Sequence, residues 1–160
     1  MDRIDQIIHH EIYRQCLNQI QELEKTRRFC GHDMTHFLDV ARLAYILNLE
    51  EGLGIPKERI YATALLHDIG RHIQYLEGLR HEEASVPFAE IILKDCGFDK
   101  AERTEIETAI RRHRDKSAAS EPNLNGVIYR ADKLSRSCFG CKAEPQCDWS
   151  PEKKNLTLRY

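Results

Sequence analysis

The sequence is poor in residues that interrupt helices, and it lacks both long apolar runs and an excess of charge of one sign. Its 160 residues include only 8 glycines and 5 prolines, too few to punctuate a series of hairpins, so an all-α fold is favoured over an all-β fold. No stretch of about 18 apolar residues occurs, which argues against a membrane-spanning helix and a membrane partner. The net charge of −2 argues against a nucleic-acid polymer as partner.

The N-terminus also lacks the apolar core of a signal peptide, because charged residues recur throughout the segment MDRIDQIIHHEIYRQ. We therefore expect a cytoplasmic protein. In that reducing compartment the six cysteines are expected to be thiols or metal ligands rather than disulfides. A chain of this length, 41% hydrophobic, suffices for one domain with its own core.

Hydrophobic periodicity predicts a compact single-domain bundle of about six helices, and no stretch alternates at period two for long enough to form a sheet. The predicted helices cover about 4–24, 35–49, 57–69, 81–96, 99–112 and 126–136. The third is apolar on nearly every side, which predicts a position at the centre of the bundle. A loop containing Gly78 is expected after it. Residues 1–136 would form the helical domain, and residues 137–160 a Cys-bearing extension packed on that domain.

His67 and Asp68 stand together at the end of the central apolar helix. Burying an imidazole beside a carboxyl group is costly unless the two are paired or bind a cation. Adjacent residues point about 100° apart on a helix, yet at its end both can converge on an ion beyond the last turn. A hydrogen-bonded pair that caps the helix explains the dipeptide equally well.

Four further candidate ligands occur at helix ends or on apolar faces. His36 begins the stretch HFLDVARLA, Asp132 lies within VIYRADKLSR, and His81 and His113 open and close two predicted helices. With the His-Asp pair they form a set of nitrogen and oxygen ligands, which suits manganese, iron, cobalt or nickel better than zinc. Helical bundles often build one- or two-metal centres from such inward-facing side chains. Surface histidines remain the alternative for His81 and His113.

The ordered segments HFLDVARLA, LLHDIG and ADKLSR resemble the H…HD…D signature of the HD-domain metal-dependent phosphohydrolase superfamily. The resemblance covers about residues 30–136 and implies an all-α HD-domain fold. His36 matches the first histidine of the signature because it directly precedes the apolar run, and His32 would lie behind the ligands or face the substrate. The resemblance implies that one ion is bound by His36, His67, Asp68 and Asp132.

Some subfamilies of this superfamily bind a second ion through two additional histidines. The segments LRHEEASV and AIRRHRDK resemble the sequences that supply them. The resemblance thus assigns His81 and His113 to the second ion, with Asp68 as the bridge between the two ions. The other histidines, His9, His10 and His72, are expected on the surface.

The resemblance also implies a reaction, in which metal-activated water hydrolyses a phosphate ester or anhydride. The substrate would be a nucleotide or a similar small phosphorylated molecule. Cationic side chains would stabilise charge on the phosphate oxygens, and Lys133 and Arg71 are the leading candidates for this catalytic role alongside Asp68. A solvated surface charge is the alternative for each cation. The other candidates for contact with the substrate are Arg80, Arg114 and Arg136.

Two other functions stay open at this point. Some HD-domain proteins are mixed-valence di-iron oxygenases that use the same four histidines and two aspartates, so ligand types alone do not separate the two reactions. A non-catalytic, metal-binding signalling module is the third interpretation, and it is disfavoured because every ligand position of the signature is filled. The amphipathic first helix offers a surface for a homodimer.

Three cysteines lie close together in the C-terminal extension. Cys138-x-x-Cys141, followed by Cys147, has the spacing of a metal knuckle at its first pair. A tetrahedral site needs a fourth ligand. Cys30 precedes His36 by six residues, just as Cys138 follows the late aspartate by six. Six residues span at most about 20 Å, so Cys30 can reach the others if the first histidine and the late aspartate share an ion.

Two interpretations of these cysteines follow. One is a structural zinc or iron–sulfur site formed by Cys30, Cys138, Cys141 and Cys147. The other is a group of free thiols in an apolar patch around Phe139 and Trp149. Cys16 and Cys96 fall on helical apolar patterns and are expected in the core.

Overall fold

The computed structural model describes residues 1–160 and contains eight α-helices and no β-strand. The predicted all-α fold is therefore confirmed. None of the helices combines the length and the apolar character that crossing a bilayer requires. The helices are α1 (Asp2–His9), α2 (Glu11–Glu24), α3 (Met34–Glu50), α4 (Lys57–Leu66), α5 (Arg71–Glu77), α6 (His81–Asp95), α7 (Lys100–Arg112) and α8 (Leu124–Leu134).

The first predicted helix is divided into α1 and α2, so the prediction of one continuous helix was wrong. The backbone of His10 is extended between them, with φ −64° and ψ 134°. Its imidazole Nδ1 accepts a hydrogen bond from the N–H of Ile12 at 3.2 Å, as an N-cap residue does. Apolar residues keep a helical spacing across this break, which is why periodicity did not reveal it.

The loop predicted after the central helix contains a further helix, α5. Helix α4 ends at Leu66, and residues 67–70 form a turn that leads directly into α5. Gly78 ends α5 in the left-handed conformation, with φ 77°. At seven residues, α5 is shorter than the window over which hydrophobic periodicity can be recognised.

Helix α4 lies at the centre of the bundle, as its composition predicted. It contacts α1, α3, α6, α7 and α8, and the side chains of its second half are fully buried. Because it is enclosed on all sides, the turn that follows it opens into the interior rather than towards solvent. Cys16 and Cys96 are buried in the core, which confirms their predicted placement.

Gly70 allows helix α6 to pack directly against this turn. A Cβ atom at Gly70 would lie 2.4 Å from the backbone nitrogen of Ser85 and 2.5 Å from the carbonyl carbon of Ala84. The Ser85 hydroxyl accepts from the N–H of Gly70 at 2.9 Å and donates to the carbonyl of His67 at 3.0 Å. The glycine therefore sets the distance between the His67 turn and the helix that carries His81.

Gly70→Ala is expected to lower the free energy of unfolding by about 3 kcal/mol, because the new methyl group collides with backbone that cannot rotate away. Urea denaturation of the two chains measures the difference. Gly140→Ala is the control: its Cβ would meet nothing within 4 Å, and we expect a change within about 0.5 kcal/mol. Equal stability of Gly70→Ala and the wild type would show that α6 can shift without cost.

Candidate metal centre

The six side chains that the sequence singled out as ligands converge in the interior, and all six are buried. They come from five parts of the chain. His36 lies in the first turn of α3, and Asp132 lies near the end of α8. The His67–Asp68 pair occupies the turn after α4, while His81 begins α6 and His113 follows α7.

One set of ligands surrounds the Oδ2 atom of Asp68. This atom lies 3.4 Å from His67 Nε2 and 3.8 Å from His36 Nε2. Asp132 Oδ1 completes the set, at 3.6 Å from His36 Nε2 and 3.8 Å from His67 Nε2. Ligands that share one ion at about 2.1 Å are separated by about 3.0 to 3.4 Å, so small adjustments bring these four atoms onto one cation.

A second set faces the other oxygen of the same carboxylate. Asp68 Oδ1 lies 2.9 Å from His81 Nε2 and 3.5 Å from His113 Nε2. The two Nε2 atoms are 3.2 Å apart. Asp68 thus stands between two groups of ligands and directs one oxygen towards each.

Two of the imidazoles are oriented by backbone carbonyls. The Nδ1–H of His67 donates to the carbonyl of Ala64 at 2.7 Å, and that of His113 donates to the carbonyl of Ile110 at 2.6 Å. Each acceptor lies three residues earlier, at the end of the preceding helix. With the proton fixed on Nδ1, the Nε2 lone pair of each ring points into the centre, the arrangement of a metal-binding histidine.

Side chains perform the same task for the other two imidazoles. The Ser135 hydroxyl donates to the carbonyl of Asp132 at 2.8 Å, so its oxygen is free to accept from His36 Nδ1–H at 3.2 Å. For His81, the Oε1 atom of Gln74 lies 2.8 Å from Nδ1 and accepts the proton of the tautomer that binds metal. His36, His67 and His113 can therefore present Nε2 to the centre. His81 can do so when its Nδ1–H donates to Gln74, which requires the guanidinium of Arg71, 2.9 Å from the same nitrogen, to turn away.

The electrostatics of the centre require a positive charge. Burial raises the pKa of Asp68, but His67, His113 and His36 hold that pKa well below its usual value. Burial lowers the pKa of His67, yet the carboxylates of Asp68 and Asp132 outweigh it and raise the pKa to about 10. Without an ion, a proton on Nε2 therefore supplies the positive charge that a bound cation would supply. Burial lowers the pKa of His36 to about 4. Its imidazole is therefore neutral near pH 7, as a metal ligand must be.

Two buried atoms at this position, His67 Nε2 and Asp68 Oδ1, have polar neighbours within 3.5 Å but make no hydrogen bond of acceptable geometry. Unsatisfied polar atoms are costly in a protein interior. A divalent cation would satisfy both atoms and neutralise the two carboxylates. The donor set of four imidazole nitrogens and two carboxylates fits one or two such ions.

His32 lies beside the ligands but belongs to neither set. Its Nδ1–H donates to Glu24 Oε1 at 2.5 Å, and its Nε2 accepts from Arg71 Nη2 at 2.8 Å. The same nitrogen is 3.6 Å from Asp68 Oδ2. The guanidinium of Arg71 thus contacts the lone pair that His32 would need for coordination, at a shorter distance than the 3.2 Å at which Arg136 contacts His36 Nε2. Arg71 also lies 2.9 Å from Nδ1 of His81.

Two of the other predicted cations also reach the centre. Arg136 donates from Nη2 to His36 Nε2 at 3.2 Å and from Nη1 to the carbonyl of Gly31 at 2.9 Å. Lys133 pairs with Oδ2 of Asp132, the oxygen that does not face the histidines. Together with Arg71, these two side chains place positive charge on several sides of the ligand sets.

Arg80 and Arg114, in contrast, do not reach the centre. Both point to the buried carboxylate of Glu82: Arg80 Nη2 lies 2.5 Å from Oε1 and Arg114 Nη1 lies 3.8 Å from Oε2. Their side chains are 70% and 51% exposed. Their proximity in sequence to His81 and His113 suggested a substrate contact, which stays a prediction for these two largely exposed side chains.

His72 is buried, with only 3% of its surface exposed, so its predicted surface position was wrong. Its Nδ1–H donates to the carbonyl of Ile69 at 2.8 Å, and its ring packs 5.4 Å from that of Phe88. His9 is exposed as predicted, whereas His10 is only partly exposed.

Sequence reasoning did not identify Glu24, Gln74 or Ser135, each of which holds a histidine of this region. Ser135 carried a readable signal, because it follows Asp132 by three residues and therefore lies on the same helix face. Glu24 and Gln74 carried none, since their roles depend on how α2 and α5 pack.

The four cysteines predicted as a second site lie outside the centre, around a cavity that borders His36.

Comparison with known proteins places the candidate ligands within a known family of domains. The family described as HD domain matches residues 34–137, a span that contains all six ligands. The chain is 44% identical to an uncharacterized protein of Clostridium beijerinckii over 160 residues, the full length of both chains. It is also similar to the crystal structure of a predicted HD superfamily hydrolase from an uncultured Thermotogales bacterium, with 30% identity, a TM-score of 0.58, and 76% of this chain and 66% of that chain covered. The chain belongs to the HD domain family.

Proposed function

We propose that this chain is a phosphohydrolase that uses two divalent metal ions to hydrolyse a small phosphorylated molecule such as a nucleotide. Its family and its hydrolase-like structural neighbour support metal-dependent hydrolysis in general. The observation that carries the two-ion proposal is the position of Asp68, whose two oxygens face different ligand sets. One carboxylate between two such sets is the arrangement expected of a bridge.

Bound divalent ions would lower the pKa of a water molecule towards neutrality and polarise a phosphoryl oxygen. The chain itself fixes three of the histidines in space before the substrate arrives, because His36, His67 and His113 are anchored through Nδ1. Burial of the ligand atoms lowers the local dielectric and strengthens every charge interaction with a bound phosphate.

Arg71 and Arg136 would bind the phosphate group. Each guanidinium now donates to a neutral imidazole nitrogen, Arg71 to His32 and Arg136 to His36. A phosphate oxygen is a far stronger acceptor for a guanidinium than neutral imidazole is, so both side chains would turn towards the substrate. Lys133, held by Asp132, would add a third positive charge.

Asp68→Asn tests the bridge, because it removes the charge between the two ligand sets while it keeps the size of the side chain. We expect phosphate release to fall by at least about 100-fold. The assay follows phosphate release from nucleotides and simple phosphate esters with manganese, cobalt, nickel or iron(II). Asp5→Asn, at an exposed position of α1, is the control and should leave the rate unchanged.

The same assay separates the competing reactions. Dioxygen consumption by the iron-loaded wild type, with no phosphate release under any metal, would overturn the proposal in favour of an oxygenase. Full metal binding without either reaction on any tested substrate would instead favour a signalling module.

His113→Ala tests whether two ions bind. It removes one ligand of the Oδ1 set only, so we expect one ion per chain to be lost and the other retained. Elemental analysis after dialysis against a fixed metal concentration provides the count. His72→Ala is a matched control, since that histidine is equally buried but lies outside both sets. Retention of two ions by His113→Ala would argue against the second site.

Ser135→Ala tests the anchoring of His36. Without the hydroxyl oxygen, Nδ1 loses its acceptor and the ring is no longer held in the metal-binding tautomer. We expect the affinity for the metal to fall by about 10- to 100-fold, as measured by competition with a chelator. Ser120→Ala, at an exposed position, should bind as the wild type does. An unchanged affinity in Ser135→Ala would mean that packing alone orients His36.

A further inference from the structure

The C-terminal extension, residues 137–160, has almost no core of its own. Cys138 is its only buried residue, and its regular structure is limited to three 3-10 helices of three residues each. Its large apolar side chains are exposed, Phe139 by 51%, Trp149 by 36% and Leu158 by 73%. Apolar burial therefore contributes little to its stability, and segments with so small a core are ordinarily held by disulfides or metals.

Four of the six cysteines surround one cavity of about 370 Å³. Cys30 lies in the loop between α2 and α3, and Cys138, Cys141 and Cys147 belong to the C-terminal extension. All four are free thiols. The cavity thus joins two segments that are distant in sequence, and each segment contributes sulfur to its wall.

Local hydrogen bonds fix the three cysteines of the extension. The N–H of Cys141 donates to the carbonyl of Cys138 at 3.1 Å, which closes the tight turn of the C-x-x-C pair. The N–H of Cys147 donates to the carbonyl of Glu144 at 3.0 Å in a second turn. A turn across a C-x-x-C pair is also a feature of metal knuckles.

Two arginines join the loop of Cys30 to the other segment. Arg28 Nη2 donates to Gln146 Oε1 at 3.0 Å, next to Cys147. Arg136 Nη1 donates to the carbonyl of Gly31 at 2.9 Å, next to Cys30. Two hydrogen bonds therefore link the opposing walls of the cavity.

Cationic side chains line the cavity beside the thiols. Lys154 is one of them, and its Nζ donates to Glu144 Oε1 at 2.9 Å. Arg28 and Arg136 line the same cavity. Cations beside a cluster of thiolates offset its negative charge.

We propose that Cys30, Cys138, Cys141 and Cys147 ligate a metal centre that fastens the C-terminal extension to the loop before α3. Four thiolates form the ligand set of structural zinc sites and of iron–sulfur clusters. The cysteines would lose their protons on binding, and the free energy of binding would supply the stability that the small core of this segment lacks. The cavity borders the HD centre at His36, but its four ligands differ from those of that centre, and the proposal does not depend on the proposed reaction.

Elemental analysis of the full-length chain, purified without oxygen or added metal, tests the site. The wild type is expected to contain thiolate-bound metal that Cys138→Ser/Cys141→Ser lacks: one zinc per chain, or iron together with acid-labile sulfide and visible absorption. Cys96→Ala, in the core, is the control and should keep the metal. An identical metal-to-protein ratio in the double variant and the wild type would overturn the proposal.

A second measurement uses the wild type alone and therefore does not depend on whether the double variant folds. Titration with a mercurial thiol reagent is expected to release all of the thiolate-bound metal once four thiols per chain have reacted. Cys16 and Cys96 are expected to react only after unfolding. Reaction of these thiols with no release of metal, or a disulfide among them in the untreated protein, would contradict the site. Neither readout involves phosphate release, so failure here is distinct from failure of the hydrolase proposal.

Discussion

The ionised carboxylate of Asp68, enclosed in the interior of a helical bundle, is the constraint on which the rest of the structure depends. A charge in that position is costly unless it is compensated from several directions. Three of the histidines around it are anchored on helix carbonyls or on a hydroxyl, and the fourth faces an amide. Gly70 then brings the fourth histidine, His81, close enough to contribute, because it lets α6 lie against the turn that carries Asp68. The helix packing that forms the fold therefore also assembles the site.

Four residues of the centre could be identified from the sequence because they interrupt apolar patterns, namely His36, His67, Asp68 and Asp132. His81 and His113 have charged neighbours and were assigned through the resemblance to a known superfamily. What holds these residues could not be identified, apart from Ser135. Gln74 lies in a helix too short to be recognised, and Glu24 reaches His32 only because α2 packs over the loop before α3. Such contacts are set by tertiary packing, on which a linear pattern carries no information.

Two predictions were wrong because a linear pattern does not determine how helices pack, namely the surface position of His72 and the continuity of the first helix. Arg80 directly precedes His81 and pairs with Glu82, and its contact with the substrate stays a prediction. His72 looked like a surface residue for want of an apolar pattern around it, but α5 turns it inward against Phe88. The break at His10 was hidden for the opposite reason, since α1 and α2 both bury their apolar residues at helical spacing.

The convergence of ligands that are as far apart in sequence as His36 and Asp132 has a thermodynamic consequence. In an unfolded chain, gathering six side chains across such a span would carry a loop-closure entropy that grows with the logarithm of the span. The bundle has already closed those loops, so a cation would bind the folded chain and scarcely the unfolded one. By mass action, the concentration of free metal around the protein then becomes a variable that sets its melting temperature.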